Sequence, residues 1–140
     1  ILKDLLVSIA KIETALEAVE KESEKVEQEL YQKFKEKITR YLKEYEVDER
    51  RLAQEAAILA EKGCINEEIR RLCTHNQRLK ELINDTKTEI KGREADFLAQ
   101  EMQRETHTIA SKTTSLEIHK EVLNIRREIE KIKQQVQNVE

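Results

Sequence analysis

Along the first third of the chain, apolar residues recur at alternating steps of three and four: Leu2, Leu5, Ile9, Ile12, Leu16, Val19, Val26 and Leu30, with Ser23 interrupting the seam. This spacing lines up one stripe of a helix and is the coiled-coil pattern. After Leu30 the stripe moves to Phe34, Ile38, Tyr41 or Leu42, and Tyr45, as though four residues had been inserted, which locally unwinds a supercoil. One helix is predicted to run from Leu2 to about Tyr45, roughly 65 Å at 1.5 Å per residue.

Val47-Asp48 reads as a break, with Asp48 a good N-cap and Glu49 well placed in a first turn. A short helix follows with Leu52, Ala56 and Leu59 inward, ending near Gly63. Asn66 is expected to cap a third helix whose apolar face is Ile69, Leu72, Cys73, Leu79 and Ile83. Asn84-Asp85-Thr86 and Gly92 read as interruptions, which leaves a fourth helix from Arg93 to about Ala110. Thr113-Thr114-Ser115 is a start signal for the last helix, with Ile118, Val122, Ile125, Ile129, Ile132, Val136 and Val139 at heptad spacing. The two end helices should pack on each other or on partner chains, because neither seam is stable alone in water.

Composition narrows this to an all-α, elongated protein: a coiled-coil arm over residues 1–46 and a helical domain over 47–140. Only 38% of residues are hydrophobic and 39% are charged, which favours narrow seams over a thick core. Proline is absent and the two glycines are Gly63 and Gly92. The apolar runs fall far short of the roughly 20 residues of a membrane span, and no signal-peptide pattern opens the chain, which points to the cytoplasm and to reduced thiols at Cys64 and Cys73. Starting at Ile1 instead of Met, the sequence reads as a piece of a longer chain. A net charge of −3 rules out a bulk basic field for nucleic acid, so any phosphate contact must be local.

The chemistry-bearing stretch is Gly92 to Lys112. A helical wheel puts Leu98, Met102, Thr106 and Ile109 on one side, and Glu101, Arg104, Thr108 and Lys112 on the opposite or flanking side with Phe97. Glu101 and Glu105, one turn apart, have the spacing to share a divalent cation, and Arg93 and Arg104 have the forked donors to grip phosphate. The blander expectation is an intrahelical ladder through Glu101, Arg104 and Glu105. His75 falls seven residues after Glu68 on the same flank of the third helix, a placement suited to a metal ligand or a proton-transfer pair but more often structural.

The string from Gly92 to Lys112, GREADFLAQEMQRETHTIASK, resembles the signature of the YicC/YloC family, written G-R-K-x-D-F-L-x-Q-E-x-N-R-E-x-N-T-x-x-S-K. Arg51-Leu52-Ala53-Gln54-Glu55 resembles that family's R-L-x-Q-E helix, and Ile65-Asn66-Glu67-Glu68-Ile69 its I-x-E-E-(L/I) helix start. His75 falls on its S-H-x-x-Q position, with Gln77 one residue short of the pattern's glutamine, and Gln135 to Glu140 resembles the closing Q-V-Q-N-(I/V)-E. Departures are Gln103 and His107 for two asparagines, Glu94 for a lysine, Cys64 for an acid, and Asn76 and Arg78 at Leu or Phe positions.

The resemblance implies the helical C-terminal part of a bacterial, metal-dependent endoribonuclease that works as an oligomeric ring, usually a hexamer. On that reading Glu101, Arg104 and Glu105 are catalytic, and Glu68, His75, Glu101 and Glu105 gather a Mn or Mg ion. Arg93, Phe97, Arg104 and Lys112 hold RNA, with Asp96 and Gln100 orienting the ligands. Phe97 has a choice between stacking on a base and burial against another helix, and burial is the stronger expectation. Between Asp85 and Lys112 six acidic residues face five basic ones, so RNA capture needs metal or basic surface from elsewhere. The rival reading is a non-catalytic helical module for oligomerisation or RNA binding.

Overall fold

The computed structural model describes residues 2–44, 49–63, 65–85 and 91–139. Five helices follow in order: α1 (Leu2–Glu44), α2 (Glu49–Gly63), α3 (Asn66–Asn84), α4 (Lys91–Lys112) and α5 (Leu116–Val139). No strand occurs among the described residues, so the chain is all-α. Four of the helices close a ring in which α1 packs on α3, α3 on α4, α4 on α5, and α5 back on α1. α2 packs on α1, with Lys37 reaching Glu55 at 3.2 Å.

Cross-links between neighbours set the helix directions. Asn76 of α3 meets Ile9 of α1 while Asn66 meets Glu27, so α3 runs antiparallel to α1. Arg71 meets Glu105 while Glu68 meets Lys112, so α4 runs antiparallel to α3. Such an up-and-down ring buries one stripe from each helix in a common core, the four-helix bundle solution for amphipathic helices.

The seams read from the sequence meet in one apolar cluster. From α1 come Leu5, Ile9, Ile12, Leu16 and Val19; from α5 come Ile118, Val122, Ile125, Ile129, Ile132 and Val136. α3 contributes Ile69, Leu72, Leu79 and Ile83, and α4 Leu98, Met102 and Ile109. Beyond Ser23, itself buried, the stripe of α1 loses full burial: Val26, Leu30, Phe34, Ile38 and Tyr41 are half-buried and Leu42 is exposed. The stripe shift after Leu30 thus follows the point where α1 leaves the ring.

Several boundaries differ from expectation. Ile65, not Asn66, precedes the first turn of α3, with no side-chain cap; Asn66 is already the first helical residue, and its side-chain amide donates to the Glu27 carboxylate of α1 at 3.0 Å. Gly92 does not interrupt α4, which starts at Lys91 and continues to Lys112. Cys73 is exposed, and Asn76 takes a buried place in its stead, its amide donating to the Ile9 carbonyl at 3.1 Å. Ser115 does cap α5, accepting from the Ile118 N–H at 3.3 Å. The expected Val47-Asp48 break and Cys64 lie outside the described residues, as do the side chains of Leu59 and Val139.

Candidate functional site

The first turn of α3 and the last two turns of α4 lie side by side, and the seam between them is charged. Glu68 is 3% exposed and Glu105 7% exposed, although both are carboxylates. Charge burial of this kind survives only when partners compensate the lost hydration. Arg71 supplies them: its Nε donates to Glu105 at 2.9 Å, one terminal nitrogen reaches Glu67 at 2.9 Å, and the other reaches Glu68 at 3.8 Å. Lys112 closes the group from the end of α4, donating to Glu68 Oε1 at 2.7 Å.

Position on the helices explains much of this. Glu67 and Glu68 stand in the first turn of α3, where the helix dipole favours negative charge, and Lys112 stands in the last turn of α4, where it favours positive charge. Burial pushes the Glu68 carboxyl up, but the Lys112 hydrogen bond, the backbone bond at Glu68 and the charges of Lys112 and Arg71 outweigh it and hold it below the ordinary carboxylate range. The hydrogen bond to Glu105 raises the Arg71 guanidinium above its usual value, against partial desolvation. Glu68 Oε2 is buried and has no hydrogen-bond partner. Glu68 is therefore ionised at neutral pH and keeps one unused acceptor.

Glu68, Glu105 and Lys112 thus come together, and Arg71, absent from the sequence expectation, joins them. A signal for Arg71 existed: it lies three residues after Glu68 and four after Glu67, the spacing of helical ion pairs. The expected ladder on α4 forms only in part. Glu101 pairs with Arg104 at 3.7 Å, while Glu105 turns away to α3. Phe97 is 60% exposed, which corrects the expectation of burial; the α4 stripe facing the core consists of Leu98, Met102, Thr106 and Ile109.

Asp96 and Gln100 bond to each other at 3.1 Å, and Asp96 Oδ1 is buried without a partner. Arg93 and Lys112, at the two ends of α4, stand about 28 Å apart along the helix, which spreads the RNA-binding candidates along a strand instead of around one phosphate. His75 is half-buried, two turns of α3 beyond Glu68. Among the described residues, no three His, Cys, Asp or Glu side chains are placed to hold a metal ion.

Comparison with known proteins matches residues 19–140 to the family described as endoribonuclease YicC-like, C-terminal. The chain belongs to this YicC-like family. Over 139 residues it is 40% identical to a protein of Clostridioides difficile named "Probable endoribonuclease YicC", covering 99% of this chain and 47% of that protein. A Haemophilus influenzae protein of the same name is 29% identical over 134 residues, 92% of this chain and 46% of the relative. The YicC-like chain thus spans about half the length of the curated relatives it matches. No helix among its described residues is long and apolar enough to cross a membrane.

Proposed function

We propose that this chain carries the catalytic face of a cytoplasmic endoribonuclease, and that cleavage of the RNA phosphodiester takes place at the α3–α4 seam. The observation that carries the reading is the pair of buried carboxylates, Glu68 and Glu105, bridged by Arg71 and bordered by Lys112. The relatives' name supplies the reaction class.

Chemically, the guanidinium and the ammonium suit the phosphate oxygens, Arg71 through its planar fork and Lys112 as a point charge. The unpartnered Glu68 Oε2 suits acceptance of the proton from the attacking oxygen. Glu105 holds Arg71 in register as an orienting group. Glu101 and Arg104 lie on the approach to this seam, with Arg93 and the exposed Phe97 further along α4 as RNA contacts.

A divalent ion, Mn or Mg, belongs to the proposal on different terms. Two carboxylates that already carry Arg71 and Lys112 do not by themselves make a site for it, and among the described residues no further ligand is placed with them. The remaining ligands would come from a second chain or from the rest of a protein of the relatives' length. Assembly into a homo-oligomer is part of the same reading, supported by the exposed Tyr31, Leu42 and Ile58 on α1 and α2.

The test is cleavage of a labelled RNA hairpin by the purified full chain with Mn²⁺ or Mg²⁺, with and without chelator. It is repeated for Glu68→Gln/Glu105→Gln and for Glu101→Ala. The double variant is expected to lose activity by about 100-fold or more, the scale of a lost transition-state electrostatic contact, while Glu101→Ala loses less. Full activity in the double variant rules out the site, and indifference to chelator rules out the ion.

A further inference from the structure

On the side of the ring opposite Glu68 and Glu105, α1 and α5 leave a groove of about 650 Å³ between them. Its polar lining is Lys11 and Thr14 from α1 and Asn124, Arg127, Glu128 and Lys131 from α5, with the Glu121 carboxylate at its side. The Glu128 side chain is only 9% exposed. Its Oε1 accepts from Lys131 at 3.1 Å and stands 3.9 Å from Lys11. Its Oε2 is buried and has no donor.

A buried carboxylate oxygen without a partner is costly, and such atoms call for a donor from somewhere. Around this one the rim is basic. The Lys11 and Lys131 side chains are more than half exposed; Lys131 spends one of its three donors on Glu128, and Lys11, at ion-pair distance, spends none. Arg127 is exposed and makes no ion pair among the described residues. Three cations stand over two carboxylates in a protein whose net charge is −3, so the local field here runs against the whole. Rim cations suit phosphates, and a buried acceptor between them suits a hydroxyl donor. Ribose-phosphate offers both at short spacing, and DNA lacks the hydroxyl.

We propose that the α1–α5 groove is a second RNA-backbone site, with phosphates held by Lys11, Arg127 and Lys131 and a ribose 2′-hydroxyl donating to Glu128 Oε2. Lys131 keeps its bond to Oε1 and turns its remaining donors to the phosphates, as Lys11 turns its own. The inference rests on the RNA reading above and adds to it a contact that separates RNA from DNA, on a face remote from cleavage. The ring holds the two seams on opposite sides, so the groove positions a strand without entering the chemistry.

The experiment is fluorescence anisotropy on the full chain with a short labelled oligouridine and its deoxyuridine counterpart, the oligonucleotides checked on a gel afterwards. Arg127→Glu/Lys131→Glu is expected to weaken binding of both by about tenfold or more, whereas Lys120→Glu/Arg126→Glu, the same charge change outside the groove, is expected to do much less. Glu128→Gln is expected to leave binding in place and bring the RNA-to-DNA preference down by about tenfold, the scale of a lost bond to a charged acceptor. Lys11→Glu repeats the test from α1 should the double variant fail to fold, as judged by circular dichroism. Unchanged affinity in the α5 and α1 variants, or an unchanged RNA preference in Glu128→Gln, overturns the proposal. Were those results to accompany loss of cleavage in Glu68→Gln/Glu105→Gln, the groove would fall and the α3–α4 reading would stand. Loss of groove binding beside full cleavage by that variant would mean the reverse.

Discussion

The two opposite seams of the bundle are built from helices of similar regularity but different content. Between α1 and α5 the interior is Ile9, Ile12, Leu16 and Val19 against Ile118, Val122, Ile125, Ile129 and Ile132, with Glu128 at the groove edge. Between α3 and α4 the interior mixes Leu72, Leu79, Met102 and Ile109 with Glu68, Glu105 and Thr106. An apolar seam stabilises through area removed from water, without needing partners. A charged seam stabilises little, because desolvation offsets attraction, but it holds ionised groups in fixed geometry. The first seam is where the fold resides, and the second is where a reaction has something to work with.

The largest effect that sharpens this contrast is loss of apolar volume. Ile125 is fully buried, so Ile125→Ala should cost about 2–5 kcal/mol in urea unfolding, the usual range for such truncations. A cost under about 1 kcal/mol would show that the α1–α5 seam is not the stability centre. Next comes the cap. Ser115→Ala removes the acceptor for the Ile118 N–H and should cost about 0.5–1 kcal/mol, at the low end because the bond is long at 3.3 Å.

The charged seam should show itself in pH instead. Glu68 has a folded pKa below its ordinary value of 4.5, so its contribution is complete above about that pH and is lost as pH falls through the lowered value. In Lys112→Met the largest lowering influence disappears, and acid unfolding followed by circular dichroism should begin at higher pH than in the wild type. An unshifted acid transition would mean that Lys112 does not hold Glu68. The smallest expected effect belongs to Asn76→Leu. It gives up the bond to the Ile9 carbonyl but also removes a buried carbonyl oxygen without a partner, so stability should change by less than about 1 kcal/mol.

How far the sequence disclosed these two seams follows from the same physics. Heptad spacing reports apolar burial directly, so the stripe of α5 from Ile118 to Val136 and that of α1 from Leu5 to Val19 were legible, their mutual packing was one of the two arrangements expected, and the Ser115 start of α5 was legible too. Helix ends were less so: Asn66 reads as a cap locally, but a carboxylate from a helix 39 positions away in sequence takes its amide. Polar burial has no periodic signature. Glu68 and Glu105 were legible as candidates from helical spacing and, with Lys112, from the family resemblance, but nothing in that spacing said they would be drawn inside. Arg71 was missed because its partners sit on two helices, and an i,i+4 ion pair with Glu67 looks like ordinary surface. Phe97 was assigned to the interior on its type alone, whereas the core-facing stripe of α4 was already complete without it.

The exposed Cys73 fits the same contrast from outside the seam. Partial desolvation and the neighbouring Glu20, Glu13 and Glu17 of α1 push its thiol up, so it is a poor nucleophile despite its exposure.

The most direct measurement sets one residue from each seam side by side, Arg71→Met and Ile125→Ala, reading RNA cleavage per folded molecule together with the melting temperature. The account predicts that Arg71→Met, which leaves the buried Glu105 carboxylate without its partner, melts below the wild type and loses cleavage per folded molecule by about 100-fold or more, while Ile125→Ala also melts well below it but, held under its own transition, cleaves at nearly the wild-type rate. Wild-type cleavage by a folded Arg71→Met protein would contradict it.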